Sequence, residues 1–100
     1  MNGITLDTGA LIALTRNKAR MQRVWTMAMA VGRRITIPTV VVAEWFRQTS
    51  RANEDILHAC TVEPVTLQLA QAAGRALASV EGATTIDAIV VASAAQRGDV

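Results

Sequence analysis

Cysteine, histidine and aromatic residues are scarce in this sequence, and each shortage narrows what the protein can be. The single cysteine, Cys60, excludes an internal disulfide. Because His58 is the only histidine, the sequence has no cysteine–histidine spacing typical of a zinc site. Aromatic residues make up 3% of the chain, so aliphatic side chains must build the core, as in α/β folds whose sheet is covered on both faces.

Long hydrophobic runs and a secretory signal are also missing. Charged residues or glutamine interrupt every apolar stretch before it reaches the roughly 18 residues that a membrane-spanning helix needs. The N-terminus lacks a basic segment followed by an apolar one. No glycine-rich phosphate loop is present either. We therefore expect one cytoplasmic domain over residues 1–100, with no membrane segment.

The charges are divided unevenly along the chain. Residues 1–52 contain eight basic residues and only two acids, Asp7 and Glu44, which gives a net charge of +6. Residues 53–100 contain two basic and six acidic residues, which gives −4. A basic half of the chain that contains only two carboxylates is compatible with binding a polyanionic substrate together with a metal ion. Basic residues on ordinary solvent-exposed helix faces explain the charge equally well.

The hydrophobic pattern predicts short strands that alternate with helices. Strands are expected at residues 2–6, 35–37 and 59–65, the last at a sheet edge because it contains Pro64. Helices are expected at residues 8–15, 18–31, 40–50, 67–80 and 85–97, with residues 51–58 forming a short helix or a loop. The expected N-caps include Asn17, Thr39 and Thr66. Helical crossovers favour a parallel sheet.

Three acids occupy related places in this pattern. Asp7 follows the first strand, Glu44 lies in the helix after the second strand, and Asp87 lies at the start of the last helix. Parallel α/β topology brings such positions to one edge of the sheet. Two carboxylates ~5 Å apart repel by roughly 3 kcal/mol at an effective dielectric constant of ~20, so a cluster of three requires a cation. Oxygen ligands without histidine or cysteine favour Mg²⁺ or Mn²⁺.

Each acid also has a simpler structural explanation. Asp7 suits the N-cap of the first helix, and Asp87 suits the acidic position of a capping box that begins at Thr84. Glu44 suits an ion pair with Arg47, three residues further along the same helix. Both explanations stay open for each residue.

Three segments resemble PIN-domain ribonucleases, especially VapC-type toxins. They are ITLDTGALIAL at residues 4–14, IPTVVVAE at 37–44 and TIDAIVVASA at 85–94. The resemblance implies a three-layer α/β fold with a parallel sheet in the order 3-2-1. The family normally adds a further strand with another acid, so a C-terminally incomplete PIN-like domain is expected, with strands 4 and 5 missing or incomplete.

The resemblance also implies an activity and its residues. It implies an Mg²⁺- or Mn²⁺-dependent endoribonuclease toxin that is usually dimeric and is neutralised by a VapB-type antitoxin. Asp7, Glu44 and Asp87 match the family's catalytic and metal-binding acids, and Thr8 matches a hydroxyl residue beside the first acid. The expected contacts to RNA phosphates are Arg16, Lys18, Arg20, Arg33, Arg34 and Arg47.

Other readings of the same residues are a binding module and different hydrolases. A PIN-like module that dimerises or holds an antitoxin without turnover is the main alternative. Haloacid-dehalogenase-like phosphatases need a second aspartate two residues after the first, where this sequence has Gly9. A response-regulator receiver would need paired acids at the end of the first strand.

Overall fold

Three short strands form a parallel sheet with the middle strand buried. The computed structural model describes residues 2–47 and 50–99 and contains β1 (Ile4–Thr5), β2 (Ile35–Pro38) and β3 (Thr61–Glu63) in the order β1-β2-β3. Every residue of β2 is buried. Thr36 of β2 pairs in register with Thr5 on one side and with Thr61 on the other. The predicted parallel sheet, its order and the edge position of β3 are confirmed.

Six helices surround this sheet in the described ranges. They are α1 (Thr8–Thr15), α2 (Ala19–Ala30), α3 (Thr39–Trp45), α4 (Arg51–His58), α5 (Leu67–Ala78) and α6 (Thr85–Arg97). The predicted caps at Thr66 and Thr84 both form, since each hydroxyl accepts a bond from a backbone N–H three residues later. Across the same ranges, no helix combines the length and apolarity that a membrane span requires.

Helix α3 is shorter than predicted. It ends at Trp45, whereas the pattern predicted a helix to about residue 50; positions 48 and 49 of that prediction lie outside the described residues. Ser50 has an extended backbone and caps α4 by accepting a hydrogen bond from the Asn53 N–H. Helix α4 then covers Arg51–His58, the segment for which a short helix or a loop was predicted.

The connection between α1 and α2 also differs from the prediction. Asn17 does not cap α2; it adopts a left-handed conformation with φ of 55° and closes the end of α1. The N–H of Asn17 bonds to the Leu14 carbonyl, and the N–H of Lys18 bonds to the Ala13 carbonyl. These two bonds form a Schellman motif, in which asparagine can replace the usual glycine.

The core lies between the sheet and the first three helices, with a second apolar cluster between α5 and α6. Leu11, Ile37 and Val41 are fully inaccessible at the centre of the first cluster. Val40 packs against the second cluster, which includes Ala88 and Ile89 of α6. Helix α3 therefore contacts α6, and this contact helps to fix where Asp87 lies.

Candidate active site

Asp7 lies where β1 gives way to α1. The preceding residue, Leu6, is buried and donates its N–H to the Thr36 carbonyl of β2, which fixes the end of the strand. Asp7 is exposed and is the N-cap of α1, with Oδ1 accepting a hydrogen bond of 2.8 Å from the Ala10 N–H. The simpler capping explanation is thus realised. The capping bond uses Oδ1 of Asp7. The other carboxylate oxygen, Oδ2, accepts no hydrogen bond within the described residues, so it can still bind a metal ion.

Glu44 is joined to the start of α1 through Thr8. Oε1 of Glu44 accepts a short hydrogen bond from the Thr8 hydroxyl, across 36 positions of sequence. Within the described ranges, Glu44 forms no ion pair with Arg47, so the alternative of a pair along α3 is not realised. Because Thr8 follows Asp7 directly, this contact brings the second predicted acid to the N-terminal end of α1.

Asp87 lies in the first turn of α6 and is exposed. Its backbone N–H donates to the Thr84 hydroxyl at 3.1 Å. The carboxylate accepts no reciprocal hydrogen bond in the described part of the chain, so only half of the expected capping box forms. A carboxylate at this end of a helix is favoured by the helix dipole. Asp87 also borders a small apolar pocket of about 150 Å³ between α5 and α6.

The three acids do not form a closed cluster. Among residues 2–47 and 50–99, no group of three or more histidine, cysteine, aspartate or glutamate side chains could hold a metal ion. The donor chemistry nevertheless suits Mg²⁺ or Mn²⁺, because Asp7, Glu44 and Asp87 all offer carboxylate oxygens. The shared three-carboxylate metal site therefore stays a prediction, with Asp7 and Glu44 as the two acids that Thr8 links.

Arg33 and Arg34 lie at the other end of the sheet. Both precede β2, whereas Asp7 follows β1, and the two strands run parallel. The Arg33 side chain is occupied, since Nε donates to the Asn2 carbonyl at 2.8 Å and a terminal nitrogen donates to the Gly3 carbonyl at 3.4 Å. Arg33 thus binds the segment that precedes β1, the strand that leads to Asp7. The expected contact between Arg33 and RNA stays a prediction.

The other predicted phosphate contacts fall into two groups. Lys18 and Arg20 are exposed at the start of α2. Arg16 and Arg47 instead border one open pocket of about 510 Å³, formed where the ends of α1 and α3 meet the start of α4. Two of the six predicted cations are therefore brought together by the fold.

A polar cluster that the sequence did not reveal attaches the end of α6 to the sheet. Arg97 donates to Glu63 of β3, to Asp99 and to the Thr5 hydroxyl of β1, and Ser93 donates to Glu63 at 2.9 Å. Thr5 in turn donates to Asp99 at 2.8 Å. The available signal was the spacing of Ser93 and Arg97, which share one face of an otherwise apolar helix.

Charge and hydrogen bonding together keep Asp99 ionised. Burial alone raises the pKa of this carboxyl, because it disfavours the charged form. Hydrogen bonds from Arg97 and Thr5, the charge of Arg97 and the Gly3 N–H outweigh burial and hold the pKa below its usual value of 3.8. The Asp99 side chain is only 4% exposed. This cluster attaches the C-terminal end of α6 to β1 and β3, whereas Asp87 lies at the other end of the same helix.

The comparison with known families agrees with the α/β fold. No curated protein sequence matches the chain significantly. The model of the PIN domain matches residues 4–100, a span that includes all three strands, all six helices and the three predicted acids. The chain therefore belongs to the PIN-domain family, a family of nucleases that are generally metal-dependent.

Proposed function

We propose that this protein is a metal-dependent endoribonuclease that hydrolyses RNA phosphodiester bonds and acts as a VapC-type toxin. The observation that carries the proposal is the Thr8–Glu44 hydrogen bond. It joins an acid of α3 to the residue next to Asp7, within a chain that belongs to a nuclease family. Two carboxylates from distant parts of the sequence are thereby presented near one helix end.

Asp7 and Glu44 would hold the divalent ion in this proposal, and Asp87 would supply the third carboxylate. An Mg²⁺ or Mn²⁺ ion lowers the pKa of a bound water and stabilises negative charge on phosphate oxygens. The chain's own contribution is positional. Asp7 is fixed by its bond to the Ala10 N–H, and Glu44 is fixed by Thr8. Side chains held in this way lose little freedom when a ligand binds.

The direct test measures cleavage of a mixed single-stranded RNA pool with Mn²⁺ for the wild type and for Asp7→Asn. We expect the wild type to cut RNA, with activity lost in the variant and in the presence of a chelator. Asp55→Asn is the matched control, since Asp55 is an exposed acid on α4 that borders other pockets. Equal background cleavage by all three proteins would reject the proposal.

The second candidate function is a PIN-like module that binds a partner or dimerises without turnover. The observation that favours it is the absence, within the described residues, of a three-acid group able to hold a metal. Calorimetry with Mn²⁺ separates the two candidates. Binding that is lost in both Asp7→Asn and Glu44→Gln supports the nuclease, whereas no binding by the wild type supports the module.

The partners proposed by resemblance are a VapB-type antitoxin and a second copy of the chain, in the cytoplasm. Light scattering on the purified protein tests the dimer by its mass. Co-expression with the product of a small neighbouring gene tests the antitoxin, which is expected to restore growth and to suppress RNA cleavage. Growth arrest that persists in the presence of that product would argue against this pairing.

A further inference from the structure

We infer that Arg16 and Arg47 form a subsite for a backbone phosphate of single-stranded RNA, beside the proposed catalytic carboxylates. This inference rests on the proposed function for its substrate and specifies where a flanking part of the RNA is held. Both arginines border the open pocket of about 510 Å³ at the ends of α1 and α3. This volume is within the usual range of ligand sites.

The pocket is basic, and its two cations have no partner among the residues that the structure describes. Its described lining residues are Ile12, Thr15, Arg16, Trp45, Arg47, Ser50 and Asn53, and none of these is acidic. Across residues 2–47 and 50–99, neither guanidinium forms a hydrogen bond or an ion pair, in contrast to the fully engaged Arg97. Two free guanidinium groups on one concavity favour a phosphate, which arginine binds with paired hydrogen bonds.

The start of α4 adds to the positive potential. Ser50 caps this eight-residue helix and borders the same pocket as the two arginines. The N-terminal end of a helix carries a partial positive charge. Its contribution has the same sign as that of the guanidinium groups, and Glu54 in the first turn of α4 offsets part of it, so the two arginines supply most of the positive potential.

The pocket and the Thr8–Glu44 contact involve the same two helices, α1 and α3. Ile12, which lines the pocket, lies one turn after Thr8 on α1, and Trp45, which also lines it, directly follows Glu44. Arg16 lies eight residues beyond Thr8, or ~12 Å along the helix axis. A phosphate bound in the pocket would therefore be separated by a short length of RNA from the phosphodiester held at the carboxylates. This spacing favours RNA, rather than an acidic protein segment, as the occupant.

The test compares RNA binding by the double variant Arg16→Gln/Arg47→Gln with binding by the wild type, without metal. The matched control is Arg23→Gln/Arg75→Gln, which removes the same charge from exposed positions on α2 and α5. The probe is a fluorescein-labelled single-stranded RNA of mixed sequence, and its Kd is measured in EDTA between about 50 and 200 mM salt. Thermal unfolding shows that each variant is folded.

We expect the Arg16/Arg47 variant to bind RNA about tenfold more weakly than the wild type. The slope of log K against log salt should become shallower by about 0.7, which corresponds to one lost phosphate contact on a single strand. The control should change Kd by less than about threefold, because Arg23 and Arg75 are exposed, do not line the pocket, and have charges that salt screens.

Three outcomes overturn the subsite, and the first two are equal weakening in the variant and its control, or an unchanged Kd in the variant. A third is binding of a poly-glutamate peptide that depends on the arginine pair when RNA binding does not, since the pocket would then serve an acidic protein. Parallel cleavage assays with Mn²⁺ separate this inference from the proposed function. If the protein cleaves RNA and the arginine variant keeps its RNA affinity, the subsite is rejected and the nuclease proposal stands. If RNA binding depends on the arginines but no cleavage occurs, the nuclease proposal is rejected and the subsite stands.

Discussion

The hydroxyl of Thr8 donates a hydrogen bond to Oε1 of Glu44, which lies 36 residues further along the chain. Thr8 is the first residue of α1, and Glu44 lies in the last turn of α3. Because a half-buried carboxylate that loses its donor is left poorly solvated, this bond should contribute both to folding and to the position of Glu44.

Thr8→Val should lower the free energy of unfolding by about 1 kcal/mol, because it removes the donor and leaves Glu44 in place. Thr8→Ser keeps the hydroxyl and is expected to lose less than half as much. Urea denaturation of the three proteins measures the difference. Identical midpoints for Thr8→Val and the wild type would show that the bond adds nothing to stability.

Metal binding should stabilise the fold if Asp7 and Glu44 are ligands, because a ligand that binds only the native state raises Tm. At a Mn²⁺ concentration of about one hundred times Kd, the gain is about 2.7 kcal/mol. Differential scanning calorimetry should show this rise in the wild type and in Asp55→Asn, but not in Asp7→Asn or Glu44→Gln. A rise of the same size in all four proteins would place the metal elsewhere.

Thr5 and Thr36 are register partners on neighbouring strands, yet their hydroxyls have opposite surroundings. Thr5 bonds to Asp99 and to Arg97, whereas Oγ1 of Thr36 is buried without a partner in the described structure. Thr36→Val should therefore stabilise the protein by about 1 kcal/mol, because it removes a buried polar group that is not hydrogen-bonded.

Thr5→Val is the matched variant for this pair and should destabilise the protein by a similar amount, since it removes one donor to Asp99 and one acceptor for Arg97. Urea denaturation distinguishes the two substitutions by the direction of the shift in midpoint. A loss of stability in Thr36→Val would indicate that its hydroxyl has a partner, such as an ordered water.

The stability that Asp99 contributes should depend on pH. Its pKa in the folded protein lies below its usual value of 3.8, so the contribution is fully present above the unfolded pKa and is lost as pH falls through the folded pKa. The difference in unfolding free energy between the wild type and Asp99→Asn should be constant near about pH 6 and shrink below about pH 3.8. Urea denaturation across this range measures it, and a difference that does not vary with pH would contradict the assignment.

Gly3 should not tolerate a side chain. A Cβ at this position would lie 2.7 Å from the Arg34 carbonyl oxygen and 2.9 Å from Oδ1 of Asp99. Gly3→Ala should therefore cost about 1–3 kcal/mol through strain at the start of β1. Thermal unfolding measures the change, and an unaltered Tm would show that the two strands can separate without cost.

Gly74→Ala is the control for Gly3→Ala, because a Cβ in the middle of α5 would meet no atom within 4 Å. Alanine is favoured over glycine in a helix interior, so this variant should gain about 0.5–1 kcal/mol. A loss of stability would reveal packing at this position that the structure does not contain.

Local chemistry determined most of the secondary structure and the positions of the candidate acids. Alternating apolar runs and capping residues were sufficient to predict the parallel sheet, α1, the caps at Thr66 and Thr84, and the placement of Asp7 and Asp87 at helix starts. The helix and the caps depend on residues within a few positions of each other, and the parallel direction of the strands follows from the helical crossovers between them, so a single sequence contains this information.

The tertiary structure alone decided which partner each polar group takes. Glu44 bonds to Thr8 rather than to its near neighbour Arg47, and Arg97 joins β1, β3 and Asp99 across as many as 92 positions. Contacts of this kind arise only when helices and strands pack, and local propensity contains no record of that packing.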